Sequence, residues 1–389
     1  QKSVINEYIK KYETDAEIKF KIDAAFREFN QYYGNAERIE NIRLLKEDNY
    51  QEGFLREIFV DVLGYVINPD INYNVTTEYK NEKDSKKADS AIIVDSSAVA
   101  VIELKSTKTV DMLSIETQAF NYKRNHSGCK YVITSNFEKL NLYVGDYSVE
   151  YEEFNLFSLK DDFETFKKFY FLLSSESILT DFPLKLKNES YTKEIQITKE
   201  LYKNYLTIKT SLYNNLVENN QTIDKINLLK SSQKIFDRIL FILFSEDRDL
   251  LPPNTLLRVI KEYQEMKEKD EYKPVYYFLR KYFNYIDIGC NRSDLKISCY
   301  NGELFKPNNE IDNLVISDDV LINGINILSK YDFLTDIDVD ILGHIFENSL
   351  NDIEEMQARI LGIEFEENQG KKKKDGVFYT PKYITQYII

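Results

Sequence analysis

Three residues in this sequence could together hydrolyse a phosphodiester: Asp89, Glu103 and Lys105. Asp89 lies just before an apolar run at residues 91–94, and Glu103-Leu104-Lys105 closes another at 99–104. Side chains alternate across a strand, so Glu103 and Lys105 share one face while Leu104 turns to the core. If the two strands form a hairpin, Asp89 comes alongside Glu103, and two carboxylates meet an ammonium at one sheet edge. Carboxylates of this kind hold Mg2+, which polarises a phosphate and acidifies a water, while the lysine orients or deprotonates that water. Alone, D-x13-E-x-K is a weak pattern in a chain that is 30% charged, where each residue also suits a solvated strand end. Context lifts it: β-branched strands flank both acids, and a helix follows closely.

The elements that must position these residues can be read from changes of period. Residues 73–79 alternate, and the runs at 91–94 and 99–104 are separated by a turn at 95–97, giving three strands. Residues 111–124 return to helical spacing, with Met112, Ile115, Ala119 and Tyr122 on one face. Residues 131–134 and 140–144 are two further strands. Ahead of them, residues 1–48 read as one or two amphipathic helices. A helix across 49–64 carries Phe54, Leu55, Ile58, Phe59, Val62 and Leu63 at helical spacing and ends at Gly64, the expected C-cap glycine. This order predicts an α/β unit over residues 1–155, a mixed sheet flanked by helices. Residues 156–337 read as a mostly helical connector, broken at Pro252-Pro253 and around Lys306-Pro307. Residues 338–389 open with one more helix and pass through a polar loop at 368–375.

Composition narrows the function classes. No run approaches a membrane span, and the polar first helix is no signal peptide. Three cysteines without a CxxC pair suggest reduced thiols in a cytoplasm. Two distant histidines and no zinc spacing leave oxygen-bound hard cations as the metals to expect. The balance of 51 basic and 65 acidic residues, a formal −14, disfavours phosphate binding overall but can conceal a local basic groove.

The helix at 111–124 carries Gln118 and Tyr122 one turn apart on a common face. Asp89, Glu103-Leu104-Lys105 and Gln118-Ala119-Phe120-Asn121-Tyr122 together resemble the PD-(D/E)xK nuclease pattern with the Q-x-x-x-Y extension of type I and type IIG restriction enzymes. The resemblance implies a PD-(D/E)xK-like core acting on double-stranded DNA. Asp89 and Glu103 would bind Mg2+, with the Leu104 carbonyl, and Lys105 would serve the attacking water. Gln118 and Tyr122 would contact DNA or support the site. Ala88 stands where the pattern names proline. Family members often add an acid from the first helix; Glu52 is the candidate and Glu57 the alternative, although a helix charge exposed to solvent fits Glu52 equally.

A second set of segments is similar to the helical connector and methyltransferase start of type IIG enzymes: Phe244-Ser245-Glu246-Asp247-Arg248-Asp249-Leu250-Leu251-Pro252, Tyr300-Asn301-Gly302-Glu303-Leu304-Phe305, and Ile341-Leu342-Gly343-His344-Ile345-Phe346-Glu347. Gly376-Val377-Phe378-Tyr379-Thr380-Pro381 resembles the first S-adenosylmethionine-contacting motif of N6-adenine DNA methyltransferases, which makes Phe378, Tyr379, Thr380 and Pro381 the expected cofactor contacts. A loop-to-helix junction with an early proline fits the same residues. The N/D-P-P-Y/F tetrapeptide of that family does not occur here, so the resemblance implies a longer parent protein and no methylation by these residues alone. No phosphate loop of a helicase motor occurs either. Two other classes fit the same residues: a nuclease-like scaffold or DNA-binding module without activity, and an anti-phage nuclease whose methyltransferase half serves only recognition. Lys371–Lys374 reads as a solvated loop, His344 as a packed or capping residue, and Glu246-Asp247-Arg248-Asp249 as an ion-pair cluster at a helix end, while His126 follows the Gln118 helix at a place from which it could reach a phosphate.

Overall fold

A computed structural model describes residues 2–80, 87–148, 150–300, 302–337 and 339–364. They fall into two compact units, divided between Tyr191 and Thr192.

The first unit opens with helices whose ends are fixed by side chains. Asp15 accepts from the backbone N–H groups of Glu17 (2.9 Å) and Ile18 (3.2 Å), starting the helix Ala16–Tyr33. Asn35 does the same for Ala36–Leu44 through Glu37 and Arg38. Each such cap is worth roughly 1 kcal/mol. The chain then makes a 3-10 turn, Glu47–Asn49, and enters the helix Gln51–Phe54, which widens to a π-helix at Leu55–Val62. Gly64 ends it with φ +76, the left-handed conformation that glycine adopts without a Cβ penalty.

Six strands follow: β1 (Val75–Lys80), β2 (Lys87–Val94), β3 (Ser97–Leu104), β4 (Tyr131–Ser135), β5 (Lys139–Val144) and β6 (Tyr151–Asn155). They pair in sequence order, antiparallel except for β3 against β4. A parallel pair needs a crossover, and the helix Met112–Lys123 supplies it. β2 and β3 meet at a two-residue turn, where Asp95 (φ 48) and Ser96 (φ 66) both take the left-handed region that such hairpins require. The ladder runs Val94↔Ser97 and Ile93↔Ala98, then shifts by one residue and continues from Ile92↔Ala100 to Ser90↔Ile102.

The sheet is covered on both sides. One face, with Ala100, Ile102, Leu104, Ile133 and Leu142, joins the main core with Phe54, Phe59, Phe166 and Phe169. Fully burying each of the larger apolar side chains stabilises the fold by about 1.5–3 kcal/mol. The other face is smaller: Val101, Val132 and Tyr143 pack with Ala119, Phe120 and Tyr122 of the crossover helix. Helices at Phe163–Leu173 and Ser175–Leu179 and the start of Phe182–Asn219 complete the first core, so residues 156–191 pack with the sheet. β6 and the helix at Ser175–Leu179 were not anticipated from period alone.

The second unit is helical, as expected. The rest of Phe182–Asn219 packs with Lys225–Glu246, Thr255–Glu268, Val275–Ile288, Asp318–Leu328 and Val339–Leu361. Arg238 is buried there but satisfied, donating to the carbonyls of Leu304 (2.8 Å) and Lys306 (2.9 Å). Among the described residues no helix is long and apolar enough to cross a membrane.

Candidate active site

The β2–β3 hairpin brings the two acids together. One step beyond Ser90↔Ile102, Asp89 stands beside Glu103, and Asp89 Oδ2 accepts from the Leu104 backbone N–H at 2.7 Å. The Leu104 side chain is fully buried in the main core, so strand alternation turns Glu103 to the opposite face. Lys105, just past the strand, folds its ammonium back over this edge. Its Nζ donates to Glu103 Oε1 (2.9 Å) and to the Leu104 carbonyl (2.8 Å), and lies 3.7 Å from Asp89 Oδ2.

A third carboxylate reaches the same ammonium: Glu47 Oε1, at 3.2 Å. Glu47 belongs to the 3-10 turn before the helix Gln51–Phe54, and Gln51 Nε2 donates to the same oxygen at 3.3 Å. Thr107 Oγ1, in the loop after β3, donates to the Arg43 carbonyl at 3.1 Å and ties that loop to the segment leading into the turn. The two acids expected from the first helix lie elsewhere. Glu52 pairs with Arg56 at 3.0 Å and is 69% exposed. Glu57 accepts from Tyr50 Oη (2.6 Å) and pairs with Arg38. Glu47 escaped notice because it sits in a turn, outside the helical periodicity that singled out the other two. Its signal was positional: a carboxylate one turn ahead of an apolar helix packed on the sheet.

Electrostatics separate the members of this cluster. Glu103 is only 1% exposed. Burial, reinforced by the neighbouring Asp89 charge, pushes its carboxyl up to about 7, with Lys105 pulling the other way. Burial also works against the Lys105 ammonium, but Glu103, Asp89 and Glu47 outweigh it and hold the lysine above its ordinary value. Glu103 Oε2 is buried without a hydrogen-bond partner in the structure. Among the described residues no group of three or more His, Cys, Asp or Glu forms a ready metal cage. The carboxylates are instead arranged around the ammonium.

Gln118 and Tyr122 lie on the crossover helix and bond to each other, Gln118 Nε2 donating to Tyr122 Oη at 3.1 Å. Gln118 is exposed, whereas the Tyr122 ring is buried against the sheet. Sequence reading overlooked a polar strip continuing from Glu103 across the sheet. Thr134 stands opposite Glu103, and Asn141 opposite Thr134. Asn141 Nδ2 donates to Tyr143 Oη (3.3 Å), which donates to Glu116 Oε2 (3.2 Å).

The remaining candidates have structural surroundings. His126 is buried with its ring 5.1 Å from that of Tyr79. Glu246 accepts from the Leu256 N–H (2.9 Å) at the start of the helix Thr255–Glu268, and Asp247 accepts from the Phe333 N–H (2.7 Å). Arg248 stacks over Phe244 at 4.2 Å. That charged run therefore clasps loops within the second unit. The backbone of His344 lies in the helix Val339–Leu361. Lys371–Lys374 and the expected cofactor contacts Phe378, Tyr379, Thr380 and Pro381 lie outside the described residues.

Comparison with known proteins gives one likeness by sequence. The chain is 25% identical over 273 residues to a Methanocaldococcus jannaschii protein provisionally named a type II restriction enzyme and methyltransferase. The match covers 58% of this chain and 21% of that protein, so the chain spans about a fifth of the length of the curated relative it matches. No family model matches the chain, and no solved structure does.

Proposed function

We propose that the first unit is a PD-(D/E)xK-type endonuclease domain that cleaves double-stranded DNA with Mg2+, within a restriction–modification enzyme of the type IIG layout. The observation that carries this reading is the grouping of Asp89, Glu103 and Glu47 around Lys105 at one sheet edge. Its donors fit a hard cation: three carboxylates and the Leu104 carbonyl are all oxygen. The orphaned, buried Glu103 Oε2 is an acceptor that a cation would satisfy. The relative's name, type II restriction enzyme and methyltransferase, supports the restriction–modification class.

In this reading Asp89, Glu103 and the Leu104 carbonyl hold the ion, and Glu47 takes the part first given to Glu52. Mg2+ would supply Lewis acidity toward the phosphate and make water easier to deprotonate. Lys105 orients the attacking water at the edge of the sheet. Gln118, exposed on the crossover helix and braced by Tyr122, contacts the DNA. Adenine methylation with S-adenosylmethionine, through Phe378, Tyr379, Thr380 and Pro381, is the corresponding proposal for the parent protein. It rests on the sequence resemblance and on the relative's name.

Glu103→Gln and Lys105→Ala test the assignment. Each is expected to lower Mg2+-dependent DNA cleavage by about 10²–10⁴-fold, the usual worth of a positioned acid or base, while DNA binding in Ca2+ persists. Undiminished cleavage by both variants would sink the site.

A further inference from the structure

We infer that Lys105 is a built-in counter-cation which the divalent metal must displace, so that metal loading and release of the lysine toward the attacking water are one event. The inference rests on the metal-site reading above and adds the competitor to it. An ammonium has three N–H donors. Here all three have partners: Glu103 Oε1 at 2.9 Å, the Leu104 carbonyl at 2.8 Å and Glu47 Oε1 at 3.2 Å. The fourth oxygen, Asp89 Oδ2, lies at 3.7 Å. These four residues are also those that would ligate a hard cation.

One position cannot satisfy both ions. A divalent ion contacts its oxygens at about 2.0–2.6 Å, and an ammonium held among the same oxygens would face it at a distance where like charges repel strongly. Lys105 can yield: its side chain is 23% exposed and ends a flexible four-carbon stem. The frame does not depend on it alone. Asp89 Oδ2 is also held by the Leu104 N–H, and Glu47 Oε1 by Gln51. Glu103 has one oxygen, Oε2, buried without a hydrogen-bond partner, and at 1% exposure its charge would lose its only nearby cation among the described residues if the lysine departed without a replacement. Departure and loading are therefore coupled through Glu103.

Two measurements on the 389-residue chain test this. Calorimetric titration with Ca2+ at fixed pH and salt should show Lys105→Met binding about tenfold or more tightly than wild type, because the competitor is gone. In the wild type, Ca2+ should raise acylation of Lys105 by an amine-reactive reagent several-fold, read by peptide mass spectrometry, which does not depend on the variant folding. Equal or weaker binding by Lys105→Met, or a lysine still shielded when wild type is saturated with Ca2+, overturns the competition while leaving the metal site standing. No Ca2+ binding by either protein overturns the metal-site reading and this inference with it.

Discussion

Glu103→Gln in metal-free protein separates the burial of this acid from everything else about the site. The wild-type carboxyl is raised from 4.5 to about 7 by burial and by the Asp89 charge. A raised acid pKa means that the folded state binds the proton more tightly than the unfolded one. Its stabilising contribution is therefore complete below pH 4.5 and is lost as pH rises through about 7. At ~1.4 kcal/mol per pH unit, the gap amounts to about 3 kcal/mol lost between pH 4 and pH 8. Solvent screening removes little of this, because the side chain is only 1% exposed. Glutamine has the same shape and never ionises, so the variant lacks this slope. Urea unfolding of the first unit's transition, in EDTA at intervals from pH 4 to 8, should show the two proteins converging in acid. Above pH 7 the variant should be the more stable by about 3 kcal/mol. Parallel stability curves across that range would refute the claim that Glu103 is forced to ionise in a desolvated place. Saturating Mg2+ should erase the wild-type loss if the acid is a ligand.

Exchanging the acids tests their geometry. Glu47→Gln should lower Mg2+-dependent cleavage by roughly a hundredfold, whereas Glu52→Gln, whose partner is Arg56 on the solvent side, should leave it within about threefold. Leu104→Ala should lower the stability of the first unit by about 2–5 kcal/mol, seen as a lower denaturant midpoint, because the side chain is fully buried in the main core.

Much of this site was legible because it is built from local pattern. The alternation through Val101, Ile102, Glu103 and Leu104 put Glu103 and Lys105 on one face, and a turn read over residues 95–97 set Asp89 beside Glu103. The structure reaches that register with a two-residue turn and a one-residue shift. Gln118 and Tyr122 were found for the same reason, since four residues is one helical turn and they do bond. Glu47 was not legible. It reaches Lys105 through tertiary packing of a turn against the sheet edge, and nothing in its neighbours repeats. The polar strip of Thr134 and Asn141 was hidden for a related reason: which residues stand opposite each other on β3, β4 and β5 is set by a crossover and a hairpin, not by spacing within any strand. β6 escaped because its Tyr151-Glu152-Glu153 stretch is exposed and lacks the apolar run that marks a buried strand.

The one-residue shift in the β2–β3 ladder decides more than local twist. Had the pairing continued unshifted from Val94↔Ser97, Asp89 would stand opposite Ile102. Cross-strand partners share a face, so the two acids would then look to opposite sides of the sheet, one of them into the apolar core. The irregularity acts as a parity bit. Substitutions at Asp95 or Ser96 alter the energy of the turn and leave the acids together. A change of hairpin length by one residue that the shift fails to absorb would dismantle the proposed site with every one of its side chains still in the sequence. Loss of the proposed activity would therefore follow from a count of residues as readily as from their identity.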